Sequence, residues 1–315
     1  MTRRRLLAVF LSPKKFSKLG LEGLCGEYGY DLVVLTPDTW RLYIQILTID
    51  LLLHKMADFT TSPDGQDASL WVSEYKSAVK KAALEGKIKR VIDDTDMVDI
   101  LQNRVTMLEA IGACLKGLPS LDIPRWSHDP HALSGLVIRK PLDACGSPDS
   151  HIMQLLDMDN DTTHIPPESS SSIYQEFVLH HRVLYKLYCI GDSVDIVMRR
   201  SIGADLFALC TRRGVDFEYG VTVGKAQLED AEAESRLEPY LADLHAFINK
   251  FRLLYKLSMF GVDVIIEEPI PCDANGTMGM QTPRAHIIDV NYFPGFDGVV
   301  DLPAKLGKCL FNDFQ

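Results

Sequence analysis

A chain of 315 residues is long enough for about two to three packed units, and its 46% hydrophobic and 24% charged residues supply a core. That composition excludes disordered, collagen-like and disulfide-framework proteins. The net charge of −10, from 33 Lys and Arg against 43 Asp and Glu, disfavours non-specific nucleic-acid binding or a surface held to anionic lipid. It is compatible with a polyanionic small ligand, provided the positive charge is gathered locally.

The N-terminus, Met1–Arg5 followed by the apolar run Leu6–Leu11, looks like the start of a signal peptide. The run is short, however, and Ser12-Pro13-Lys14-Lys15 stands where a small-residue cleavage site belongs, so a first buried strand is expected instead. Further strands are expected at Asp31–Leu35, Ile49–Leu53 and Arg90–Ile92, with helices over Lys18–Tyr28 and Ser69–Leu84 between them. This βα rhythm predicts a small parallel sheet covered by helices. Asp93-Asp94-Thr95 is a capping cluster, and one helix is expected from there to about Gly117, followed by a connector over Pro119–Ser134.

From Gly135 the pattern turns β-rich. Leu136–Lys140 reads as a strand stopped by Pro141, then a small-residue loop through Ala144-Cys145-Gly146-Ser147. The polar stretch Asp157–Ser172, with Pro166-Pro167 and its serines, reads as a mobile loop. Strands follow at Ile173–Val178, Arg182–Ile190 and Ser193–Arg199, the last two joined by a Gly191-Asp192 hairpin turn. Ala226–Tyr255 is helical with an interruption near Pro239, Phe260–Glu267 and Arg284–Val290 are strands, and a helix from about Val299 closes the chain. The whole predicts a multi-lobed α/β or α+β enzyme. The seven cysteines (Cys25, Cys114, Cys145, Cys189, Cys210, Cys272, Cys309) form no CxxC pair and read as unpaired thiols of a reducing compartment, not a zinc site. The longest other apolar run, around Leu51–Leu53, is too short for a bilayer. A soluble, cytoplasmic, monomeric protein with no nucleic-acid or membrane partner is the expectation.

The sharpest chemistry lies in the tail, in Phe260-Gly-Val-Asp263-Val-Ile-Ile and His286-Ile-Ile-Asp289-Val-Asn291-Tyr-Phe-Pro-Gly295. Asp289 and Asn291 are two apart on a strand, so their side chains leave the same face. Asp263 interrupts an equally apolar strand, where an unpartnered carboxylate would bear a heavy desolvation cost. Oxygen ligands converging on Mg²⁺ answer that cost. The alternative makes Asp289 a turn residue and Asn291 a cap before Pro294-Gly295.

The pairing of F-G-V-D-V-I-I with I-I-D-V-N-Y-F-P-G-F-D-G-V resembles the inositol 1,3,4-trisphosphate 5/6-kinase / inositol-tetrakisphosphate 1-kinase family, of the ATP-grasp superfamily. Leu52–Asp58, Gln175–Val178 followed by Val183–Lys186, and Arg199-Arg200-Ser201 are similar to that family too, in the same order. The resemblance implies an ATP-grasp α/β (α+β) fold with an N-terminal parallel-sheet domain over 1–93 and two β-rich lobes, 94–178 and 179–315, clasping the nucleotide. It implies Mg²⁺ on Asp263, Asp289 and Asn291 and nucleotide contacts at Arg104, Lys140, Ser201 and the hinge Gln175, Glu176 and Val178. Inositol phosphate contacts are implied at Lys15, Lys55, His151, Lys186, Arg199 and Gly295, with Lys186, His151 and Arg199 nearest the transfer.

The residues agree in kind: a Lys at a strand end beside a Gly/Ser loop is a natural phosphate cradle, and several cations around one cleft suit a ligand with several phosphates. His151 either orients the attacking hydroxyl or clamps a phosphate. Of His180-His181, adjacent on a strand, one at most faces the cleft, while His128, His131, His164 and His245 belong to no constellation. Cys145-Gly146-Ser147 departs from the family's usual His-Gly-Thr, and the spacing to His151 is one residue longer. The implied reaction is transfer of the ATP γ-phosphate to a hydroxyl of an inositol tris- or tetrakisphosphate. A carboxylate–amine ligase and a non-catalytic inositol phosphate sensor are the competing readings.

Overall fold

The computed structural model describes residues 4–59, 68–144, 150, 152–159, 171–202, 215–218, 227–269 and 282–312. Its first layer is a parallel sheet of β1 (Arg5–Phe10), β2 (Tyr30–Val34), β3 (Leu51–His54) and β4 (Val91–Ile92), in the order β2-β1-β3-β4. The chain goes from β1 to β2 on one side and then to β3 on the other, so the strand order reverses between β1 and β3. In open parallel sheets such a switch point opens a ligand crevice at the carboxyl ends of the strands. Lys15 follows β1 and Lys55 follows β3, placing both there.

The helices of this half are shorter than expected. The stretch Lys18–Tyr28 is not one helix: α1 (Pro13–Leu19) and α2 (Leu21–Tyr28) meet at Gly20, whose φ of 61° breaks the run. α3 (Trp40–Ile46) was not anticipated; it is a short helix that buries Trp40 and Ile44. α4 (Ala68–Leu84) brings Trp71 and Tyr75 onto Phe10. The single helix expected up to Gly117 is two, α5 (Thr95–Ile100) and α6 (Arg104–Leu115). Asp94 accepts from the amides of Asp96 and Met97, and Asn103 accepts from those of Val105 and Thr106, so each helix has its own N-cap.

Two further sheets follow. One contains β6 (Trp126–Ser127), β7 (Leu136–Pro141), β8 (Ile152–Asp157), β9 (Ser172–Glu176) and β12 (Val215–Glu218) in the antiparallel order β12-β8-β7-β9-β6. The other contains β5 (Leu121–Asp122), β10 (Val183–Ile190), β11 (Ser193–Arg200), β13 (Met259–Ile266) and β14 (Ala285–Tyr292) in the order β11-β10-β13-β14-β5. β5 and β6 lie in the segment expected to be a connector, and β8 had no counterpart among the expected strands. α7 (Ala231–Leu237) and α8 (Leu241–Tyr255) are separated by a turn at Glu238–Tyr240, where Pro239 was expected to interrupt the helix. α8 packs on α6, which in turn lies against β14. β13 is buried at every position, so Asp263 is a carboxylate in an otherwise apolar strand.

The last helix, α9 (Leu302–Phe311), ties the end of the chain to its beginning. Phe311 stacks on Tyr28 with centroids 4.9 Å apart, and Arg90 donates to the carbonyls of Cys309 and Leu310 at 3.0 Å each. Gly307 leaves room for Tyr28: a Cβ there would lie 2.8 Å from the ring. Gly307→Ala should therefore destabilise the fold by about 1–3 kcal/mol, read from urea melts. Cys25, Cys114, Cys189 and Cys309 are buried free thiols. Among the described residues no helix is long and apolar enough to cross a membrane.

Candidate active site

The centre of the site is the register of three antiparallel strands. β10 sets Lys186 opposite Asp263 of β13, and β13 sets Asp263 opposite Asp289 and Gly261 opposite Asn291 of β14. The ladder slips between Asp263 and Val264, which pairs with Ile287, so Ile288 is the extra residue of a bulge just before Asp289. Gly261 is small for a reason: a Cβ there would lie 3.1 Å from Pro294 Cγ and 3.4 Å from the Tyr188 ring.

Lys186 Nζ lies 2.6 Å from Asp263 Oδ2, and Asn291 Nδ2 donates to Asp289 Oδ2 at 3.0 Å. The shared face of Asp289 and Asn291 is thereby as expected, and neither residue forms a turn or a cap. Burial raises the pKa of Asp263, against the pull of Lys186 and with the help of Asp289. Burial pulls Lys186 down, but the Asp263 carboxylate outweighs it and the net shift is upward. Asp289 Oδ1 is buried with no hydrogen-bond partner. Two carboxylates and an amide with an orphaned oxygen fit a hard divalent cation such as Mg²⁺, which takes few protein ligands. Among the described residues no group of three or more His, Cys, Asp or Glu is placed to hold a metal.

The facing sheet contributes Lys140 from the end of β7. Its Nζ donates to Gln175 Oε1 at 2.5 Å and reaches Ile288 O at 3.5 Å, beside Asp289. Burial lowers its pKa to about 8, the Asp289 carboxylate opposing. Gln175 Nε2 is buried without a partner, and Glu176 pairs at the surface with Arg125 at 3.2 Å. Arg104 is buried and donates to Pro141 O at 2.8 Å, Asp143 O at 2.7 Å and Ser150 O at 3.3 Å, so its guanidinium braces the two sides of the loop after β7. Cys145, Gly146, Ser147 and His151 of that loop lie outside the described residues.

After β9 the segment around Val178 is held by His180. Its Nδ1 pairs with Val178 O at 2.8 Å, which obliges Nδ1 to carry the proton. Nε2 then accepts from the Ser201 hydroxyl at 2.7 Å. Burial lowers the His180 pKa, in keeping with this neutral tautomer. The His-His pair had hidden this role, because nothing in it names Val178 or Ser201 as partners.

The third group meets at the loop after β14. Lys15 is buried, donates to Phe293 O and sits 4.0 Å from the centroid of the Phe293 ring. Burial, then the neighbouring Lys55 ammonium, lowers its pKa to about 6. Lys55 pairs with Asp58 at 3.2 Å, and Asp58 also accepts from the Ser12 hydroxyl at 2.7 Å. Arg199 donates to Asp297 O at 2.9 Å, while Lys18 pairs with the Asp297 carboxylate at 3.0 Å. Gly295 is crowded by that carboxylate, 3.1 Å from where a Cβ would stand. Lys18 and Asp297 were missed from sequence, since an exposed pair 279 residues apart leaves no local signal.

Residues 122–311, well over half of the chain, match the sequence profile of the Inositol 1,3,4-trisphosphate 5/6-kinase ATP-grasp domain. The chain belongs to that family. Its relatives include inositol-tetrakisphosphate 1-kinase 1 of Arabidopsis thaliana, 29% identical with 93% of this chain and 90% of the relative covered. Inositol-tetrakisphosphate 1-kinase 2 of Glycine max is 31% identical over 72% of this chain and 73% of its own. Among solved structures, the D-cycloserine synthetase DcsG superposes with a TM-score of 0.59 at 12% identity, covering 97% of this chain and 98% of its own. At that identity the likeness carries the ATP-grasp fold alone. The fold expected from the tail motifs is thus the fold of the family member.

Proposed function

We propose that this inositol polyphosphate kinase moves the γ-phosphate of ATP onto a free hydroxyl of an inositol tris- or tetrakisphosphate, with Asp263, Asp289 and Asn291 holding Mg²⁺. The observation that carries the reading is the orphaned Asp289 Oδ1, buried beside Asp263 and Asn291 and flanked by Lys140 and Lys186. The ion would supply neutralisation of phosphate oxygens, the main requirement of phosphoryl transfer.

Lys140 and Lys186 face the same acidic pair and offset charge developing on the transferred group. The hinge Gln175–Val178 presents its backbone to adenine, Ser201 lies next to it, and Arg104 belongs to the nucleotide side. Lys15, Lys55, Arg199 and the backbone at Gly295 line the acceptor side, with His151 added from its loop. The domains proposed are 1–93, 94–178 and 179–315. β5 and β12 each cross these bounds, since β5 completes the sheet of the last lobe and β12 that of the central one. A cytoplasmic monomer is part of the same reading.

The ligase alternative shares the fold, but Lys15, Lys55 and Arg199 on separate segments favour an acceptor with several phosphates, and a sensor has no use for Asp289 and Asn291. The deciding experiment offers labelled ATP, Mg²⁺ and a panel of inositol phosphates, then amino-acid and peptide acceptors. Transfer confined to amine acceptors overturns the kinase reading, and binding without turnover supports the sensor. Lys140→Ala should raise KM for ATP by about tenfold or more and leave KM for the acceptor little changed, as steady-state kinetics would show.

Lys15 gives a further prediction. With its pKa near 6 the free protein holds this amine neutral at pH 8, whereas a bound phosphate favours the ammonium. Acceptor binding at pH 8 should therefore take up about one proton per site, and Lys15→Met should abolish the uptake. Calorimetry in buffers of different ionisation enthalpy measures it; equal heats in all buffers would refute it.

A further inference from the structure

Lys15 and Lys55 follow strands of the first sheet, whereas Arg199 and the metal-binding residues belong to the last, so a fixed distance between the two lysines and the rest of the site needs a structural tie. Tyr292 supplies one. It is the last residue of β14, directly after Asn291 and directly before Phe293, whose carbonyl receives Lys15. Its hydroxyl accepts from the Asp93 amide at 2.8 Å and donates to His54 O at 3.0 Å. The carbonyls and amides it joins stand at the carboxyl ends of β3 and β4, beside the switch point. His54 immediately precedes Lys55, and it closes the ring of bonds by pairing its Nε2 with Asp93 O at 2.7 Å.

The same knot is tied a second time through Asp93. Its carboxylate accepts from the amides of Ser258 at 2.9 Å and Met259 at 3.3 Å, at the start of β13. Met259 O in turn accepts from the Phe293 amide at 2.9 Å. His54 is wholly buried, with its ring 5.9 Å from Tyr75 and 6.2 Å from Tyr292 by centroid, and Asp93 and Tyr292 are buried with it. The Tyr292 hydroxyl thus spends its one proton and an acceptor site between the two sheets.

We infer that Tyr292 is a positioning residue: through Asp93 and His54 it locks Lys55 and Lys15 to the strand that carries Asp289 and Asn291, making the acceptor half-site rigid before nucleotide arrives. The inference rests on the kinase reading and adds to it that nucleotide binding does not assemble the acceptor site.

The test compares wild type with Tyr292→Phe, which removes the hydroxyl alone. KM for an inositol tetrakisphosphate should rise by about tenfold, since loosening a bound geometry weakens the site it orients, while KM for ATP stays within about twofold. Direct titration of the inositol tetrakisphosphate without nucleotide should show the same tenfold weakening. A merely structural role would lower the active fraction, reducing kcat and moving neither KM; that result, or equal rises in both KM values, overturns the inference. Should Tyr292→Phe fail to fold, His54→Gln and His54→Leu carry the test. Gln keeps a donor for Asp93 O and should retain the wild-type acceptor KM, whereas Leu should raise it, and equal values for the two overturn the inference. Wild type without turnover on any inositol phosphate overturns the kinase reading and this inference together, whereas wild-type turnover with an unmoved acceptor KM in Tyr292→Phe removes the inference alone.

Discussion

Asp289→Asn should lower kcat by about a hundred- to a thousandfold and leave the melting temperature little changed. The two halves of that result come from the same atom. Asp289 Oδ1 is buried and accepts no hydrogen bond, so that oxygen carries a desolvation cost, offset by the nearby Lys140 and Lys186 charges. Asn291 donates to the other oxygen at 3.0 Å, a bond that an amide oxygen at position 289 retains. The substitution therefore keeps shape and the strand-internal contact and removes only charge. A variant that melted well below wild type would show that Asp289 serves the fold, and one with near-wild-type turnover would remove the metal assignment. Thermal melts and single-turnover transfer of labelled phosphate read the two effects separately.

Lys186→Met should be costly for both stability and turnover. The ion pair with Asp263 has side chains only 20% and 12% exposed, and removing one partner leaves an uncompensated carboxylate in β13, at a cost of about 3 kcal/mol. The sign of the pH dependence follows from linkage. Asp263 has a raised pKa in the fold, so the native state binds its proton more tightly than the unfolded chain. Stability then falls as pH rises from the unfolded value through the folded one, and losing Lys186 lifts the folded value further. The deficit of Lys186→Met against wild type should accordingly shrink as pH is lowered, in urea melts run at successive pH values. Lys186→Met with Asp263→Asn should recover most of the stability and none of the turnover. If the double variant were no more stable than the single, the buried pair would not be the source of the loss.

Much of this site was legible without coordinates because its signals are local. Asp289 and Asn291 share a face by strand periodicity, and Asp263 stood out as a charge in a run of apolar residues. Gly191-Asp192 named its own hairpin, and β10 and β11 pair across it in full register. Helix ends were less legible. Asp94 and Asn103 are both good caps, yet one hydrophobic pattern spans both, and only the amides each side chain receives show that the chain restarts. The bonds of Arg104 to the carbonyls of Pro141, Asp143 and Ser150 were not legible, because no spacing rule joins residues so far apart.

Composition and strand alternation determined a multi-lobed α/β or α+β chain and singled out the acidic residues, and the ordered short motifs carried the resemblance to the family, because each is a property of neighbouring side chains. Tertiary structure decided which of these residues meet. The strand order β2-β1-β3-β4 brings Lys15 and Lys55 to one crevice, the bulge at Ile288 seats Asp289 opposite Asp263, and Tyr292 joins the ends of β3 and β4 to β14. Those outcomes depend on pairing register and on hydrogen bonds between groups as many as 238 residues apart. Their energies are set by burial, which no stretch of neighbouring residues reveals.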